Sequence, residues 1–149
     1  GNGTAEACRP YENIFTFSMH AQRAYPTRKE KSDLDIEIPE SASGQDYLNE
    51  LTKALRILED TFSPDFIFYQ AGVDILAKDK LGKLQVSLEE CRQRERIVFE
   101  WAKKHNAPVT TTMGGGYSEQ IETILKAHKQ TFEEAIKATR ILNHVSTNS

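Results

Sequence analysis

Apolar residues recur along this chain with two different periods, and the changes of period mark out its elements. Asn13-Ile14-Phe15-Thr16-Phe17-Ser18-Met19 is aromatic and β-branched, which predicts a first strand. From Asp46 to Phe62, Leu48, Leu51, Leu55, Leu58 and Phe62 return every three or four residues, the pattern of a helix with one buried face, and Pro64 ends it. Phe66-Ile67-Phe68-Tyr69 is a short continuous apolar run, as expected of a strand covered on both faces. Ser87-Leu88-Glu89-Glu90 has capping-box spacing and opens a helix to about His105, with Leu88, Cys91, Val98 and Trp101 on one side. Pro108 to Met113 predicts a third strand, Gly114-Gly115-Gly116 a turn, and Ser118 the N-cap of a last helix through about Leu142, with Ser146 to Ser149 a frayed tail. Between Ala21 and Gln45 no helical period is found, and Pro26, Pro39, Gly44 and the acidic Asp33-Leu34-Asp35 predict a long polar connector.

Strands alternating with helices imply right-handed crossovers and an α/β fold, a mostly parallel sheet flanked by helices. At 149 residues, 38% hydrophobic and 28% charged, the chain is sized for one core and holds no apolar run long enough for a membrane helix. A net charge of -3 and the absence of a Lys/Arg block leave no footprint for nucleic acid. Cys8 and Cys91 lie far apart and form no C-x-x-C pair, so no disulfide framework or thiolate zinc site is expected; a cytoplasmic, reducing setting fits, and no secretion signal opens the sequence. The first residue is Gly1, which is expected of a trimmed start or of a piece of a longer polypeptide.

Parallel sheets bind ligands beyond the carboxyl ends of their strands. Asp74 follows the second strand and Tyr117 the third, so crossovers can bring an acid and a phenol to one cleft, with Gly72 and Gly114 to Gly116 allowing close backbone approach. Taken singly these residues carry little, because an Asp after a strand is commonly a turn residue or cap. The glycines match neither G-x-x-x-x-G-K-[ST] nor G-x-G-x-x-G, and Glu119 would repel an anion. Among the histidines, His105 suits a helix end and His144 the tail, His128 lies on an apolar stripe as a satisfied core histidine, and His20 points from a strand end toward the ligand edge.

As a set, Gly1-Asn2-Gly3-Thr4, Phe15 to His20, Ser32-Asp33-Leu34-Asp35, Tyr69-Gln70-Ala71-Gly72-Val73-Asp74, Asp79-Lys80-Leu81-Gly82 and Gly114-Gly115-Gly116-Tyr117 resemble the histone deacetylase family, its class IV branch and bacterial relatives in particular. The resemblance implies an arginase/deacetylase-like fold, of which residues 1–149 would be the C-terminal part of a single domain. It implies a zinc-dependent hydrolase acting on acetyl-lysine or a related acylated amine. Asp74 would be a metal ligand and Tyr117 the catalytic donor to the oxyanion. Tyr25, Leu81, Gly115 and Gly116 would contact substrate, and Ser18 and Met19 a structural monovalent cation such as K+ through main-chain oxygens. The family's Asp-x-His metal pair and His-His dyad precede its glycine motif, which here begins at Gly1, and Lys78 stands where relatives usually have glycine. The chain alone is therefore expected to be inactive and to need the missing N-terminal portion as a fragment or partner chain. The rival reading is a non-catalytic α/β domain that binds an acylated or cationic ligand.

Overall fold

Two serine caps set the helices that organise the fold. The Ser43 hydroxyl accepts the Asp46 N–H at 3.1 Å while the Asp46 carboxylate accepts the Ser43 N–H at 2.9 Å. This reciprocal pair opens helix α2 at Gly44–Thr61, two residues ahead of the expected start, and buries Tyr47, Leu48, Leu51, Ala54, Leu55 and Leu58 along one stripe. Phe62, extended at φ -152, closes it. Ser87 and Glu90 cap helix α3, Leu88–Lys104, in the same way, as the spacing predicts. The computed structural model describes residues 2–145, with side chains to residue 139.

The strands pair in parallel, but as two separate ribbons. Strand β1 (Phe17–Ala21) pairs with β2 (Leu34–Ile38), and β3 (Ile67–Gly72) with β4 (Val109–Gly114). The expected α/β arrangement of parallel strands flanked by helices is present, and among the described residues the strands fall into two two-stranded sheets. Strand β1 begins at Phe17 because turns closed by Tyr11 N–H to Cys8 O and Ile14 N–H to Tyr11 O occupy the residues before it. The polar connector is corrected, since it contains β2. Its Leu34-Asp35-Ile36-Glu37-Ile38 alternates with period two, a strand signal. Parallel strands need a crossover of about a dozen residues, usually helical. Here the loop is instead gathered around Lys29, whose Nζ donates to the carbonyls of Gln22, Ala24 and Pro26.

Helix α2 packs under both ribbons: Leu51, Leu55 and Leu58 meet Phe17, Met19, Leu34, Tyr69 and Trp101, whose indole N–H donates to Leu55 O at 3.2 Å. Strand β3 departs from expectation, because only one of its faces is covered. Tyr69 sits edge-on to Phe99 of α3 at 5.9 Å, whereas Phe68 on the opposite face is 81% exposed. Helix α4 (Ile121–Val145) begins three residues after Ser118, which accepts only the Gln120 N–H at 3.3 Å and is not its N-cap. It runs past the expected end, so the His144 backbone is helical and not in a tail, while the His144 side chain and Ser146 to Ser149 lie outside the described residues. A seven-residue helix, α1 (Asn2–Cys8), was not foreseen; it buries only Ala5. No described helix is long and apolar enough to cross a membrane.

Candidate functional site

Beyond β3 and β4 the ladder continues one bond further, Val73 N–H to Gly114 O at 2.9 Å, and then both chains turn. Asp74 emerges from the first turn. The segment that follows is fastened by the Leu76–Val86 bridge and by Ala77 N–H to Val86 O at 3.0 Å, which folds Gly82 back onto the Asp74 main chain. Contact there is so close that a Cβ on Gly82 would stand 1.4 Å from the Asp74 carbonyl oxygen. Gly115 has φ 61, the left-handed region that glycine enters without strain, and a Cβ on it would lie 2.6 Å from Asp74 Cγ. The Asp74 carboxylate therefore rests against the bare backbone of the glycine turn, which continues through Gly116 at φ 99. Burial, then the neighbouring charge of Asp79, raises the Asp74 pKa above the usual carboxylate value.

Asp79 holds the two loops together. One carboxylate oxygen accepts the N–H groups of Leu81 and Gly82, each at 2.8 Å, and the other accepts the Tyr117 N–H at 2.6 Å. Leu81 and Tyr117 are thereby set side by side through one carboxylate, with their side chains 53% and 50% exposed. In the sequence Asp79 stands out only as part of Asp79-Lys80-Leu81-Gly82, with no role of its own. The signal was the Asp two and three residues ahead of Leu81 and Gly82, the arrangement in which Asp bonds its own turn. His128 of α4 also belongs here. Its ring faces the Gly115 main chain, burial lowers its pKa, and its Nδ1 is buried without a partner among the described residues. The expectation of a satisfied core histidine is corrected to that extent.

The remaining sequence candidates lie on the other ribbon. Ser18 is buried and its hydroxyl bonds His20 Nδ1 at 3.0 Å, while Met19 packs into the core. Ser18, His20, Tyr25, Lys29, Glu30 and Asp35 line a recess of about 70 Å³. Among the described residues, His20 Nε2 and Asp35 Oδ1 are buried with no partner, and burial, then the charge of Lys29, lowers the His20 pKa. Tyr25 is 91% exposed. Thus the structure gathers Asp74, Leu81, Gly115, Gly116 and Tyr117 at one edge, leaves Ser18 and Tyr25 around the recess, and packs the Met19 side chain into the core. Among the described residues no three of His, Cys, Asp and Glu group closely enough to hold a metal ion.

The sequence profile of the histone deacetylase domain matches residues 1–134. An uncharacterized protein of Picosynechococcus sp. is 38% identical over 128 residues, covering 86% of this chain and 43% of that protein. Histone deacetylase 2 of Arabidopsis thaliana is 27% identical over 128 residues, covering 84% of this chain and 33% of its own length. The crystal structure of an HDAC homologue complexed with SAHA superposes with a TM-score of 0.67 at 25% identity, over 86% of this chain and 38% of that one. The HDA15 HD domain has the same fold, with a TM-score of 0.67 at 19% identity over 89% of this chain and 41% of that one. The chain spans well under half the length of each of these proteins. With the profile covering nearly all of the chain and the arginase/deacetylase fold repeated in solved structures, the chain belongs to the histone deacetylase domain family.

Proposed function

We propose that the whole protein hydrolyses the amide of an acetylated lysine or a related acylated amine as a zinc-dependent deacetylase, and that residues 1–149 form the C-terminal part of its single catalytic domain. The observation that carries this reading is the carboxylate of Asp74 held against the Gly115 backbone, while Asp79 fixes the main chain of Tyr117 beside it. The donor chemistry suits zinc at one corner of a site. Burial and the Asp79 charge both disfavour an ionised Asp74, and a cation there would oppose both. Bound zinc supplies Lewis acidity, polarising the acyl carbonyl and acidifying water.

In this reading Asp74 is one metal ligand and the others come from the portion of the domain outside this chain. Tyr117 donates a hydrogen bond from its phenol hydroxyl to the oxygen on which negative charge develops. Gly115 and Gly116 offer backbone to the substrate, and Leu81 lines the acyl channel. The main-chain oxygens of Ser18 and Met19 serve a monovalent cation. The remaining portion of the domain, as the same polypeptide or a partner chain, covers the open Phe66–Phe68 face. Cys8 and Cys91 are both free thiols, which suits the cytoplasmic setting that belongs to this reading.

The test uses the full-length protein. Asp74→Asn replaces an anionic ligand by a neutral amide and is expected to lower bound zinc by metal analysis; full zinc content would remove Asp74 from the ligand set. Tyr117→Phe is expected to keep zinc and lower kcat on an acetyl-lysine peptide roughly 100- to 1,000-fold with a modest change in KM. Wild-type kcat in that variant would end the oxyanion role.

A further inference from the structure

Helix α3 turns two charged residues inward. Arg94 is 4% exposed and Glu95 is 0% exposed, and they form an ion pair although consecutive helical residues do not ordinarily face each other. Their outer contacts explain the arrangement. Glu95 accepts the Tyr69 hydroxyl of β3 at 2.6 Å with one oxygen and the Thr131 hydroxyl of α4 at 2.9 Å with the other. Arg94 passes over the Tyr69 ring, 5.8 Å from its centroid, and donates from Nη1 to the carbonyl oxygen of Gly72 at 2.6 Å. Burying a guanidinium is costly, and a hydrophobic residue would fill the same space without the penalty. Stability alone is therefore a weak reason for this placement.

Gly72 is the last residue of β3 and stands two residues before Asp74. Its partner across the ladder is Gly114, at the head of the glycine turn. Neither glycine has a side chain to hold its peptide plane; the Gly72–Val73 peptide is held on its N–H side by the Val73 bond to Gly114 O at 2.9 Å and on its carbonyl side by Arg94, which together set the direction in which the chain leaves the strand. A charged planar donor aimed at that oxygen fixes it. Glu95, itself tied to β3 and α4, then fixes the donor.

Resting on the reading of Asp74 as a metal ligand, we propose that Arg94 is a positioning residue for it: through the Gly72 carbonyl it sets the path of Gly72-Val73-Asp74, and the ion pair with Glu95 holds Arg94 in place. It touches neither metal nor substrate.

The experiment measures zinc affinity of the full-length protein by competition with a chelator, with circular dichroism and thermal melting alongside. Arg94→Met keeps the bulk and removes the donor; zinc is expected to bind about 10- to 100-fold more weakly, the range seen when groups behind a ligand are removed. Tyr69→Phe removes the hydroxyl on Glu95 and leaves the Arg94 contact to Gly72, so it is expected to lower Tm while zinc affinity stays within about threefold of wild type. Should Arg94→Met fail to fold, Arg94→Lys decides, because one ammonium cannot serve the Gly72 carbonyl and Glu95 with the geometry of the fork, and at least a threefold loss is expected. Wild-type zinc affinity in the folded Arg94→Met, or in Arg94→Lys where Met does not fold, overturns the proposal, as does an equal loss in Tyr69→Phe. Asp74→Asn, measured in parallel, separates the two ideas: if it abolishes tight binding and Arg94→Met does not, positioning fails alone, and if it retains tight binding, the ligand reading falls and the positioning role with it.

Discussion

The two parallel ribbons have the same inner face and opposite outer faces. Inside, both present apolar residues to the helices: Phe17, Met19 and Leu34 to α2, and Tyr69 to α2 and α3. Outside, β3 shows Phe68, its ring 5.0 Å from that of Phe66 and tilted 53° to it, while β1–β2 carries the cross-strand pairs Ser18–Asp35 and His20–Glu37. An aromatic outer face is satisfied only by apolar cover, since exposed aromatic area of this kind drives association. A polar outer face with His20 Nε2 and Asp35 Oδ1 buried and unpartnered among the described residues is satisfied by donors, acceptors or an ion. The difference teaches that the helices pack on the inner faces, and that the two outer faces suit cover of opposite chemistry.

The covered side carries the largest effect. Phe99, 5% exposed on α3 and packed on Tyr69, should cost about 3–5 kcal/mol as Phe99→Ala, both in residues 1–149 and in the full-length protein, measured by denaturant unfolding. The open side should behave differently in the two contexts. In residues 1–149 alone, Phe68→Ala removes an exposed ring and should stay within about 0.5 kcal/mol of wild type while reducing self-association by light scattering. In the full-length protein the same change should cost about 3 kcal/mol or more. Equal small costs in both contexts would mean that nothing covers this face, and the comparison between the outer faces would lose its meaning.

What the sequence made legible follows from the same geometry. Helix α3 and strand β4 were readable because their signals are local: a capping box, a β-branched run and a glycine turn each depend on neighbours within four residues. Phe66 to Tyr69 was readable as a strand but not as half-covered, because an unbroken apolar run records that both faces avoid water and not which neighbour does the covering. Strand β2 was hidden by its charges: Asp35 and Glu37 occupy the outer face, and the period of two in Leu34 to Ile38 was the available sign. The inward pair Arg94–Glu95 was hidden more deeply. In the run from Arg92 to Arg96 charged residues look solvated, and only their position between Cys91 and Val98, at helical spacing, marks these two as interior. Motifs placed Asp74 and Tyr117 at one sheet edge, whereas the role of Asp79 depended on a contact 38 residues away.

The smallest predicted effect separates the sides by pH. Glu134, on the covered interface of α4 with α3, is pushed up by burial but pulled further down by hydrogen bonds from Lys137, Arg92 and Arg96, to about 2 from an ordinary value of 4.5. A carboxylate whose folded pKa is depressed contributes stability that is fully present above the unfolded value and is lost as pH falls through the folded one. Stability from Glu134 is thus expected to hold above about pH 4.5 and to decline from there toward about pH 2. His20, on the outer face of β1, titrates in a different window. Burial, then Lys29, lowers its pKa below 6.5, so the unfolded chain takes up the proton first and stability falls as pH drops below that value. Melting temperature against pH should therefore show two declines. Glu134→Gln should flatten the acidic one, and His20→Gln should reduce the one below pH 6.5 in residues 1–149. If the rest of the domain supplies an acceptor that faces His20 Nε2, that upper decline should shrink in the full-length protein while the acidic one stays, because only the outer face has gained a partner.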